Sequence, residues 1–271
     1  VIIPIDDLHD DRLDPFRWRE RQLASKSQRA EKVGAGLFVA EGDLVVRRAL
    51  TAQHIPVALL CSTRLAQELS QVVPEHVPIY EATTDMRRDI TGLGVPLEAT
   101  GLFQRPALID PADLVQASSH LIVLEAVDNP TNVGAVVRSG LALGWDGILL
   151  DATSADPLAR RALRVSMGTA LSLPFARLQT EQSLSDLLAD HDVTSYALTP
   201  DNTAVDISSV NTSGVAKKAL LFGSEREGLT QSLIDSASHT VRIPMHHGVD
   251  SLNIAAAASI AMYVLGPKNS V

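Results

Sequence analysis

The sequence predicts an α/β protein, a doubly wound and mostly parallel sheet preceded by a smaller α/β/α unit. Three observations carry that reading. Short apolar runs alternate with helical patterns along the 271 residues, at the spacing that parallel strands need for their crossovers. Two late runs, Ala219 to Gly223 and Thr240 to Met245, end in polar loops, as buried strands do where open α/β sheets bind their ligands. The alanine run after Asn253 reads as helix because alanine is the strongest helix former.

In the first part, strands are expected at Leu37 to Ala40, Val57 to Cys61, Pro78 to Tyr80 and Ala107 to Ile109. Helices are expected between them at Leu44 to Leu50, Thr63 to Gln71 and Thr84 to Asp89. Pro, Asp and Ser cluster from Asp110 to His120, which reads as a linker and sets the boundary near residue 115, giving domains 1–115 and 116–271. Beyond it, strands are expected at Leu121 to Val127, Gly147 to Leu150, Ser195 to Thr199, Leu220 to Gly223 and Val241 to Met245. The matching helices are Asn132 to Leu143, Pro157 to Val165, Leu184 to Ala189 and Ile254 to Leu265.

A hydrophobic content of 45% can fill real cores. The single cysteine, Cys61, rules out internal disulfides and argues against a thiolate metal cluster, which favours a reducing, cytoplasmic setting. No basic and then apolar leader opens the chain, and no uncharged apolar run approaches ~20 residues, so no membrane association is expected. The net charge of −9 argues against a general nucleic-acid binder. One local exception is Arg12 to Lys32, with seven basic residues against three acidic ones; a solvated helix face accounts for it equally well.

The chemistry-bearing residues gather in three loops. Neither a Gly-x-Gly-x-x-Gly after the opening strand nor a Walker Gly-Lys motif is present, so dinucleotide and P-loop readings lose their support. Gly223, Gly228 and Gly248 instead mark loops where a ligand can approach the backbone. Asn132 offers a donor and an acceptor, although a helix cap explains it alone. Glu225 suits a cationic partner or a helix start, and Arg226 and Glu227 read as surface charges. Ser251 and Asn253 open the last helix, with Ser251 the expected cap. Arg160, Arg161 and Arg164 suit either phosphate groups of a ligand or pairing along a helix. His239, His246 and His247 lack a convincing ligand spacing, so no metal is expected.

Taken in order, Asp128-Asn-Pro-Thr-Asn132-Val-Gly134-Ala-Val-Val-Arg138, Gly223-Ser-Glu-Arg-Glu-Gly-Leu229 and His246-His-Gly-Val-Asp-Ser251-Leu-Asn253 resemble the three signature motifs of the SpoU-type RNA ribose methyltransferases, in the SPOUT superfamily. The resemblance implies an S-adenosylmethionine-dependent enzyme that methylates a ribose 2′-hydroxyl in rRNA or tRNA, with DNA excluded as acceptor. It implies Asn132, Arg138, Glu225, Ser251 and Asn253 as catalytic residues, and Gly223, Ile243, Leu252 and Asn253 as cofactor contacts. It further implies a C-terminal trefoil knot threading residues 245 to 265, and a homodimer through the catalytic domains in which the helix from Ile254 to Leu265 takes part. Phe38-Val-Ala-Glu41-Gly42 resembles the family's L30e-like substrate-binding domain. Two alternatives stay open: a non-catalytic RNA-binding or ribosome-assembly protein on the same scaffold, and a methyltransferase acting on a base nitrogen.

Overall fold

A computed structural model describes residues 1–23, 36–179 and 182–267. Lys26, Arg29 and Lys32 of the basic stretch lie outside the described residues, while Arg12 and Arg17 pair with Asp10 and Asp14. The chain begins with β1 (Ile2–Pro4), α1 (Asp14–Arg17), α2 (Glu20–Leu23), β2 (Leu37–Glu41), α3 (Asp43–Thr51), β3 (Pro56–Cys61), α4 (Thr63–Leu69), β4 (Ile79–Glu81), α5 (Thr84–Thr91) and β5 (Ala99–Gln104). There follow α6 (Pro111–Ala117), β6 (His120–Leu124), α7 (Pro130–Ala142), β7 (Gly147–Leu150), α8 (Arg160–Val165), β8 (Phe175–Arg177) and α9 (Leu184–Asp190). The last elements are β9 (Thr194–Leu198), β10 (Val205–Asp206), β11 (Lys218–Phe222), α10 (Gln231–Ser236), β12 (His239–Arg242) and α11 (Ile254–Leu265). Among the described residues no helix is long and apolar enough to cross a membrane.

Two compact units result: Val1–Ala107 together with Leu158–Leu171, and Leu108–Pro157 together with Ser172 onward. In the first, the strand order is β1-β4-β3-β5-β2, with β5 antiparallel to both β2 and β3. The expected strand at Ala107 to Ile109 is replaced by β5, and of that run Ile109 contributes a single bridge to Ala176. Two features hide β5 in the sequence. It is buried on both faces from Ala99 to Phe103, so it shows no alternation, and Gly101 stands at its centre. A Cβ on Gly101 would lie 2.9 Å from a Leu59 methyl and closer still to the Phe103 ring, so packing requires the residue that reads as a loop signal.

The boundary also shifts. Asp110 caps α6 through Ala112 N–H at 2.8 Å, and Leu114 and Val115 pack in the second core with Leu121, Val123 and Leu149. A segment that buries two aliphatic side chains is an element of that core rather than a linker, so the division falls between Ala107 and Leu108. In the opposite sense, α8 belongs to the first unit, although it lies far along the chain.

The second unit is a sheet in the order β10-β12-β9-β11-β6-β7-β8, parallel at every pairing. Leu121, Val123, Ala219 and Leu221 pack on one face with Leu184 and Leu188 of α9. On α7, a Cβ at Gly140 would collide with Ile122 and approach Met262 of α11. These two helices are further joined by Ser139 to Ser259 at 2.8 Å, and Trp145, just beyond α7, donates its Nε1–H to Met262 O at 3.2 Å. Helices on both faces of a parallel sheet give the doubly wound arrangement.

Candidate functional site

From β6 the chain winds outward to β7 and β8, then crosses to β9, on the far side of β11. The neighbours β6 and β11 therefore flank the point where winding reverses, and a crevice must open beyond their C-terminal ends. A cleft of about 330 Å³ lies there, lined by Ala126, Val127, Asp128, Asn129 and Asn132 from the β6–α7 side and Ser224 to Glu227 from the β11 side.

Sequence builds each wall locally. Asn129 caps α7 by accepting Thr131 N–H at 2.9 Å, and Pro130 occupies the first helical position, where its missing N–H costs nothing. That start brings Asn132, 5% exposed, into the first turn facing the cleft. On the other side, residues 224–228 double back over Gly223, with Gly228 N–H donating to Ser224 O at 3.0 Å. A Cβ at Gly223 would fall about 2 Å from the backbone of Gly228 and Leu229, so the loop closes only over glycine.

Three sites predicted from separate motifs meet here. Asn253 Nδ2–H donates to Glu225 Oε1 at 2.7 Å and to Asn132 Oδ1 at 3.2 Å. Its Oδ1 accepts Ala255 N–H at 2.9 Å, so Asn253 rather than the expected Ser251 caps α11. The cap falls there because the chain stays extended through Asn253 before turning helical.

Other expected residues stand apart. Arg138 is exposed and does not line the cleft, because six helical residues rotate it by about 240° from Asn132. Ile243 is half-buried just beyond β12, and Ser251 and Leu252 are exposed ahead of α11. Leu252 is 38% exposed. Arg226 and Glu227 are exposed, as read from sequence, and they also line the cleft; their position directly after Gly223-Ser-Glu was the available signal for that second feature. Arg160 and Arg164 both pair with Glu41, whose side chain is wholly buried and needs compensating charge. Arg160 also donates to the carbonyls of Phe16 and Trp18.

Support for the cleft comes from residues that sequence did not mark. Ala126 has φ of +54°, a left-handed conformation uncommon outside glycine. Val127 N–H donates to Ser154 Oγ at 3.0 Å, and Ala155 N–H donates to Val127 O at 2.8 Å. Burial works against the Asp151 carboxylate, but hydrogen bonds from Ser154, Thr153 and the backbone of Ala126 outweigh it and hold its pKa below the ordinary value.

The cleft volume lies at the lower end of the ~300–1,000 Å³ typical of small-molecule sites. Asp128, Glu225 and Glu227 outnumber Arg226, so the lining favours a cationic ligand, and the two amides supply directional donors and acceptors. A sulfonium cofactor fits that donor set. Comparison agrees with this geometry: the model of the SpoU rRNA Methylase family matches residues 119–263, and the chain belongs to that family. It is 35% identical to an uncharacterized tRNA/rRNA methyltransferase of Mycobacterium tuberculosis, over 95% of this chain and 89% of that protein. It is 24% identical to the 23S rRNA (guanosine(2553)-2′-O)-methyltransferase RlmP of Bacillus subtilis, over 90% of this chain and 93% of RlmP. Among solved structures, an AdoMet-bound rRNA methyltransferase from Sinorhizobium meliloti matches with a TM-score of 0.84 at 25% identity, covering 97% of each chain.

Proposed function

We infer that this chain is an S-adenosylmethionine-dependent RNA methyltransferase acting on a ribose 2′-hydroxyl of rRNA or tRNA. The observation that carries the reading is the bonded Asn132–Asn253–Glu225 set at the switch point, in a member of the SpoU family. When bound, the cofactor supplies a methyl group activated by its sulfonium. Asp128, Glu225 and Glu227 favour that positive charge, while Asn132 and Asn253 fix polar groups through their amides. Gly223 offers close main-chain approach, and Ile243 and Leu252 offer apolar surface. The hydroxyl oxygen would gain the methyl carbon as the sulfonium S–C bond breaks to leave a thioether, with the hydroxyl proton passing to a substrate phosphate. Arg138 and Ser251 stand outside the cleft lining; met by the bound RNA at the cleft mouth, Arg138, always charged, stabilises the negative charge developing on the hydroxyl oxygen, and Ser251 orients the ribose.

The finer assignments are also proposals. Unit 1 serves as the L30e-like RNA-recognition domain and the second unit as the catalytic domain, with residues 245 to 265 following the family's knotted path. A cytoplasmic homodimer through the catalytic domains is supported by α11, whose inner face is buried while Ile260, Tyr263 and Val264 remain 39%, 78% and 40% exposed. The test is transfer of labelled methyl from S-adenosylmethionine to total RNA lacking the modification, by wild type and Arg138→Ala, with the labelled atom identified. Label on ribose O2′, reduced about 10²–10³-fold in kcat by the substitution, is expected. Label on a base nitrogen would reject the ribose assignment, and cofactor binding without transfer to any RNA would favour a non-catalytic RNA-binding protein.

A further inference from the structure

Within the catalytic unit, Glu125 does not line the cleft, yet it holds both ends of the loop that does. Its backbone N–H donates to the carbonyl of Phe222, the last residue of β11, at 2.9 Å. Its carboxylate takes both donors of Thr230: Oε2 accepts the backbone N–H at 2.7 Å and Oε1 accepts the hydroxyl at 2.9 Å. Phe222 and Thr230 bracket residues 223–229, the turn that folds back over Gly223 and presents Ser224, Glu225, Arg226 and Glu227 to the cleft. Inside it, Ser224 Oγ accepts Glu227 N–H at 3.1 Å. The internal bonds set the turn's shape but do not fix it against β6. Glu125 does that, 105 residues away along the chain.

A carboxylate suits this position better than any neutral side chain. Two donors converge on it from one residue, and an ionised carboxylate offers acceptors on both oxygens. The following two N–H groups go elsewhere, Ala126 to the Asp151 carboxylate and Val127 to Ser154 Oγ. Three consecutive residues therefore tie the β6 end to β11 and the start of α10 on one side and to the loop after β7 on the other.

We propose that Glu125 is a positioning residue for cofactor binding, acting through Thr230 to hold Glu225 within reach of Asn253. The inference rests on the reading of the cleft as the S-adenosylmethionine site. Glu125→Gln keeps the size but removes the negative charge and replaces one of the two acceptor oxygens with a donor, so the Thr230 hydroxyl has to give up or reverse its bond, and Thr230→Val removes the hydroxyl alone. Titration calorimetry of S-adenosylmethionine against wild type and these variants, with thermal unfolding in parallel, tests it. Glu125→Gln is expected to raise Kd about tenfold or more at unchanged stoichiometry. Thr230→Val should raise it less, and the double variant should be no weaker than Glu125→Gln. Wild-type Kd in Glu125→Gln, whether at full stoichiometry or with binding lost only in proportion to unfolded protein, would overturn the proposal. Wild type that fails to bind at all would overturn the cofactor reading first.

Discussion

Asn253 does two jobs with the two halves of one amide: its oxygen caps α11 and its nitrogen joins Glu225 to Asn132. Substitution by aspartate separates them. An aspartate there would be as good a cap, but it would bring a second negative charge to the place where Glu225 accepts a hydrogen bond at 2.7 Å. Asn253→Asp is expected to keep the melting temperature within about 2 °C while weakening S-adenosylmethionine binding about tenfold or more; unchanged affinity by calorimetry would exclude the bridging role. Asn132, Glu225 and Asn253 were legible in the sequence because residue type, order and loop position all pointed to one cleft. The Ser251 cap was misplaced because helix starts read from sequence slide by a residue or two. Glu125 and Asp151 were invisible, since carboxylates become informative only once their partners are known.

At the scale of elements, helices were read well because their caps and periodicity are local: α7, α9 and α11 lie within two residues of their expected ends. Short β8 and β10, and β5 with its central glycine, carry no comparable local signal. The β6–α7 connection shows what a loop requires to be rigid, with the strained Ala126 held against Asp151. Because the folded pKa of Asp151 lies below its ordinary 3.8, its contribution is fully present above that value and is lost as pH falls through the lowered one. Asp151→Asn should therefore cost about 1–3 kcal/mol near neutrality. The difference from wild type, followed by thermal unfolding, should stay constant down to about pH 5 and shrink below about pH 3.8. A difference independent of pH would place the effect in packing instead.

For the whole molecule, the decisive feature is that Leu158–Leu171 belongs to the first unit. Ala162 and Leu163 of α8 are fully buried, Arg48 donates to Met167 O at 2.6 Å, and Glu20 accepts the Arg160 N–H at 2.8 Å. The Glu41 carboxylate gathers Arg160 and Arg164. Glu41→Gln leaves those cations without their counter-charge and should destabilise the first unit by about 3 kcal/mol, measured by urea unfolding; a change below about 0.5 kcal/mol would mean that solvent already screens the pair. Sequence did not reveal this, because Arg160 and Arg164 carry helix spacing that fits a surface as well as an anchor. The consequence reaches any attempt at modular exchange. Grafting a different first unit onto this second one would strand α8 without its sheet, so a working chimera has to bring residues 158–171 along with Glu41, as one inheritance split across the chain.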